Sequence, residues 1–179
     1  KRATTKEGLT CIFCAIGNIA QGETGRKALI RNGTIDTFIT LANHEVTESR
    51  RGFRDTIQAR QEMSQVISGT ISNIARSNAG RTKLLDNRDV IMNILIALTA
   101  QNNTPEGREC IAGAHASISR SEAGRKALID NEAINTLNQL AYQENTQLGR
   151  ACIAEALASI SRSEAGRKAL INNNAINTL

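Results

Sequence analysis

A block of thirteen residues occurs twice: Ser117 to Ile129 reads SISRSEAGRKALI, and Ser159 to Ile171 repeats it letter for letter. Sliding the chain by 42 residues also lays Ala133-Ile134-Asn135-Thr136-Leu137 on Ala175-Ile176-Asn177-Thr178-Leu179. Upstream, Gly80-Arg81 with Leu84-Leu85 stands 44 residues before Gly124-Arg125, and Gly25-Arg26-Lys27-Ala28-Leu29-Ile30 stands 55 before Gly80. The chain thus carries four copies of one signal, and a period of a few tens of residues belongs to stacked-repeat folds.

Each copy predicts a cycle of short, medium and long helices. In the clearest copy the short helix holds Ala127, Leu128 and Ile129, with Ser121 placed to cap its first turn and Asn131 as the left-handed exit residue. The medium helix holds Ile134, Leu137, Leu140 and Ala141. After the polar turn Gln143-Glu144-Asn145-Thr146, the long helix carries Leu148, Cys152, Ile153, Ala156, Leu157 and Ile160. The chain opens on a long helix whose stripe is Leu9, Ile12, Phe13, Ile16 and Ile19; Asn32-Gly33 end the short helix that follows. Aromatic residues make up only 2% of the chain, so the core must be Ile, Leu, Ala and Val, and the lone Pro105 leaves long helical windows intact. No run of about eighteen apolar residues exists to span a membrane.

The stretch EAGRKALIDNEAINTLNQLAYQENTQLGRACIAEALASISR resembles an armadillo repeat, and the likeness covers essentially the whole chain. It implies an all-α, right-handed superhelix of three-helix units, about four in number with incomplete terminal ones. The units are 1–22 (a third helix), 23–77, 78–120, 121–162 and 163–179. The two-helix HEAT pattern fits the three-helix cycle less well. About eleven surplus residues in the second unit, 44–54, read as a solvated elongation of its third helix or as a ligand-contacting arm. Where the family has a turn glycine this chain has Gly33, Arg88 or Asp89, Glu132 and Asn174.

In the family the third helices line a concave groove that holds partner peptides. The resemblance places Cys14 and Asn18, Gly69 and Asn73, Gly113 and Ser117, and Glu155 and Ser159 on it. Importin-type members have Trp and Asn there; the Trp positions here are Cys, Gly and Glu, which argues against binding of nuclear-localisation signals. Asn18 and Asn73 remain as backbone clamps, since an amide both donates and accepts. The resemblance implies a non-catalytic scaffold in the cytoplasm or nucleus that captures a protein or peptide and carries no cofactor.

A second candidate surface is basic. Arg26-Lys27, Arg81 with Lys83, Arg125-Lys126 and Arg167-Lys168 recur at the start of each short helix and would align as a ladder for an acidic partner; the net charge is +5. Arg76, Arg120 and Arg162, at the carboxyl ends of the long helices, are explained by the helix dipole. Nucleic acid is disfavoured, because single strands need stacking aromatics. The uncapped ends suggest self-stacking as an alternative role. Cys11 and Cys14 form a lone C-x-x-C without further zinc ligands, so Cys11 is expected in the core, and Cys110 and Cys152 as free thiols imply a reducing compartment. His115 matches the buried Leu157 one copy later and is expected to be a hydrogen-bonded core histidine, and no convergent catalytic constellation is present.

Overall fold

The computed structural model describes residues 5–51, 56–102, 104–143 and 146–178. Among them the chain is all-α: α1 (Lys6–Ile19), α2 (Glu23–Arg31), α3 (Thr34–Arg51), α4 (Ile57–Ala75), α5 (Asn78–Leu85), α6 (Arg88–Gln101), α7 (Pro105–Ser119), α8 (Glu122–Asp130), α9 (Ala133–Gln143), α10 (Gln147–Ile160) and α11 (Glu164–Asn172), then a 3₁₀ turn over Ala175–Thr178. The helices stack in three rows. One runs α1, α4, α7, α10; a second runs α2, α5, α8, α11; a third runs α3, α6, α9 and the 3₁₀ turn, each member packed on the next. Ile67, Ile71, Ile74, Ile111, Ile118, Leu137 and Ile160, all at 0% exposure, form the continuous core between the rows. Among the described residues its aromatic content is one edge-to-face pair, Phe13 on Phe38, with ring centroids 5.4 Å apart.

The repeated block builds the joint between one unit and the next. A β-carbon at Gly25, Gly80, Gly124 or Gly166 would lie 1.9–2.0 Å from the carbonyl oxygen of Ile19, Ile74, Ile118 or Ile160, the last or next-to-last residue of the preceding long helix. Only glycine lets the short helix cross there, and the arginine after it uses the closeness. Arg26 Nη1 donates to the Ala20 and Gln21 carbonyls at 2.7 and 2.9 Å; Arg81, Arg125 and Arg167 reach Ala75, Ser119 and Ser161 at 2.8, 3.3 and 3.1 Å. Each guanidinium therefore takes up a carbonyl that a helix end leaves without a partner. The serine of the block caps the short helix: Ser77, Ser121 and Ser163 accept from the amides of Gly80, Gly124 and Gly166 at 3.0–3.1 Å. The long helices have their own cap, a threonine at Thr5, Thr56, Thr104 and Thr146 whose hydroxyl accepts from the amide three residues on.

The structure corrects several expectations about turns and helix faces. The left-handed residue after α8 is Glu132, with φ 55°, and Asn131 has φ −106°. Gly33 and Asn174 occupy the same place at φ 65° and 54°, whereas no such residue precedes α6. Within the stripe of α1 only Phe13 and Ile16 are buried; Ile12 and Ile19 are 41% and 48% exposed, whereas their equivalents Ile111 and Ile118 are at 0%.

The surplus residues lengthen two helices. α3 has 18 residues against 14 in α6 and 11 in α9, and α4 has 19 against 15 in α7. The extension of α3 is not merely solvated: Val46 is 5% exposed, and Glu45, at 9%, meets Lys6 of α1 at 3.3 Å. The end of the surplus, 52–54, lies outside the described residues, as do Glu144, Asn145 and Leu179. Leu148, placed in the α10 stripe, is instead 58% exposed at the mouth of a cleft.

Candidate functional site

The facing surfaces of α4, α7 and α10 leave an open cavity of about 380 Å³. Gly69, Asn73, Gly113, Ser117 and Glu155 line it, so five of the eight groove positions come together there. Cys14 and Asn18 are exposed on α1 outside its lining, and Ser159 is 4% exposed and packed inside. Two of the assembled residues act on the protein itself. Asn73 Nδ2 donates to the Gly17 carbonyl at 3.1 Å and ties α4 to α1; Ser117 Oγ, 6% exposed, lies 3.3 Å from Ser72 Oγ and ties α7 to α4. Asn73 thus gives one of its two amide N–H groups to the neighbouring helix, and Ser117 shares one hydrogen bond with Ser72 in which either hydroxyl can donate.

The glycines of the cavity differ from those of the joint. A β-carbon at Gly69 would meet nothing nearer than Cys110 Sγ at 3.9 Å, and one at Gly113 nothing nearer than Ser72 Oγ at 3.5 Å. Packing does not require glycine at either place, although glycine inside a helix costs about 1 kcal/mol relative to alanine. The effect of both is a low floor.

Arg76, Arg120, Cys110, Cys152 and Leu148, which sequence reasoning assigned elsewhere, also line the cavity, as does Glu109, which it did not single out. Arg120 Nε donates to Glu155 Oε1 at 2.8 Å, and that bond raises the Arg120 pKa. Thr146 Oγ1 donates to Glu109 Oε2 at 3.4 Å. Burial, then Glu109, pushes the Cys110 thiol up to about 11, so it stays protonated at neutral pH. The signal for the two arginines was present in the sequence, as the same residue type recurring at one register, but the helix dipole had absorbed it. Cys11, in the same register as Cys110, is exposed together with Cys14, which corrects the expected core position: this register faces the groove.

The residues of the basic ladder stand on α2, α5, α8 and α11 and are engaged within the protein. Its four arginines donate to helix carbonyls as described, and its lysines have carboxylate partners. Lys27 meets Glu23 at 2.7 Å, Lys83 meets Asp36 at 2.9 Å, Lys126 meets Asp130 at 3.0 Å, and Lys168 meets Glu164 at 2.8 Å. The hydrogen bond to Asp36 raises the Lys83 pKa, and the one from Lys27 lowers that of Glu23. A larger cleft of about 810 Å³ opens along this edge between α8 and α11, and it mixes Glu122 and Asp130 with Arg125, Lys126 and Arg162.

His115 is fully buried, with Nδ1 2.9 Å from the Ile111 carbonyl oxygen. Among the described residues no group of three or more His, Cys, Asp or Glu is placed to hold a metal ion, and no helix is long and apolar enough to cross a membrane. No protein-family model matches the chain, and no curated protein matches it. A crystal structure of an engineered protein, solved by the Northeast Structural Genomics Consortium, is similar over 99% of this chain and 67% of its own, with a TM-score of 0.76 at 18% identity. That likeness speaks to the helical fold.

Proposed function

We propose that the chain is a non-catalytic binding scaffold, an armadillo-like right-handed superhelix that holds an extended peptide in the groove formed by α4, α7 and α10. The observation that carries this reading is the open cavity whose floor is two glycines that the fold itself does not need. A peptide laid across the long helices would find a low apolar floor with charged residues along both rims. The test is selection from a random peptide library by the wild type and by the double variant Gly69→Gln, Gly113→Gln, which fills the floor where a β-carbon has ordinary room. The wild type should enrich peptides and the variant should lose them while keeping its unfolding transition; equal enrichment by both would refute the groove.

A further inference from the structure

We propose that the groove selects an acidic extended peptide through Arg76 and Arg120, and that Glu155 is an internal competitor standing on Arg120 where the partner's carboxylate would bind. The inference rests on the groove reading and adds the chemistry of its occupant. Arg76 and Arg120 hold one register in consecutive units, both line the cavity, and both are exposed. Arg120 spends its Nε on Glu155, which leaves the outer edge of a planar five-donor fork for a second carboxylate.

Glu155 occupies the register that is Gly69 in α4 and Gly113 in α7, so its carboxylate rises where the floor is otherwise bare. The two side chains of the pair are 47% and 41% exposed. An ion pair that open to water holds by only about a two- to five-fold preference, so a competing carboxylate can displace it.

The surroundings favour an anion at this end of the groove. The carbonyl ends of α4 and α7, which would repel one, are taken up by Arg81 and Arg125. Arg81 in turn lies near Arg120: burial first, and then that neighbouring charge, lowers its pKa. Besides Glu155, the carboxylate in the lining is Glu109, which stands eleven residues before Arg120, about 16 Å along the helix axis, and accepts from Thr146.

The experiment uses two fluorescent nonapeptide pools on the full chain, one drawn from Asp, Glu, Ser and Gly and the other from Asn, Gln, Ser and Gly. Anisotropy should give about ten-fold tighter binding of the acidic pool at low salt, the size of one charge-assisted contact. Arg76→Gln and Arg120→Gln should each remove most of that margin. Glu155→Gln should tighten the acidic pool about three-fold and leave the amide pool unchanged. Glu122→Gln makes the same change in net charge on the α8 edge and should do nothing. Equal binding of the two pools, no gain from Glu155→Gln, or an equal gain from Glu122→Gln would overturn the acidic preference and leave the groove standing; no binding of either pool would remove the groove as well.

Discussion

Gly124→Ala is expected to destabilise the protein by about 3 kcal/mol or more, seen as a drop in the urea midpoint. The added methyl would lie 2.0 Å from the Ile118 carbonyl oxygen and 2.8 Å from its carbon, and neither is the end of a flexible side chain. Relief requires α8 to move off the end of α7. That movement also breaks the Arg125 bond to Ser119, and the methyl would lie 2.9 Å from Ser121 Oγ and crowd the serine cap as well. The matched control is Gly113→Ala in the same unit. There the nearest atom is a hydroxyl at 3.5 Å, and the gain in helix propensity should stabilise α7 by about 0.5–1 kcal/mol. Opposite signs from one substitution at two glycines in a single unit would separate the joint from the groove floor.

His115→Leu is expected to raise stability by about 1 kcal/mol at pH 7.5 and by about 3 kcal/mol at pH 5, measured by urea denaturation at the two pH values. The ring is fully buried, its Nε2 has no partner among the described residues, and the same register is Ile71 in α4 and Leu157 in α10. Burial, partly opposed by the Ile111 carbonyl, lowers its pKa from 6.5 to about 4. A depressed folded pKa means that the unfolded chain binds the proton first. The wild type therefore has full stability above pH 6.5 and loses it as the pH falls toward 4, by about 1.4 kcal/mol per unit. Leucine abolishes this slope and leaves no buried nitrogen unpaired. A pH dependence unchanged by the substitution would show that the ring is not the titrating group.

The sequence made the three-helix cycle legible because apolar residues at helical spacing, serine caps and glycine-arginine pairs recur with the period of the fold. What it left obscure depends on how helices cross. An arginine six residues past a helix end can reach back to its carbonyls only if the next helix turns sharply, and nothing at the level of letters shows that angle. Arg125 therefore read as a free cation, and Arg120 read as the helix-end charge. Asn131 and Glu132 are one residue apart, and the preference of asparagine for left-handed backbone lost to the turn's geometry. Asn73 and Ser117 were placed on the right wall, but whether an amide or hydroxyl serves a ligand or the neighbouring helix depends on a spacing of a few ångströms. The lysines could have been paired in advance, since Lys27, Lys126 and Lys168 each have a carboxylate four residues away.

The most direct test is amide chemical-shift mapping on the labelled full chain titrated with a selected peptide. Binding in the groove predicts shifts confined to α4, α7 and α10, strongest at Gly69, Gly113 and Glu155 and absent from α8 and α11. Shifts centred on the α8 and α11 edge, or on Ile12 and Ile19 of α1, would contradict it.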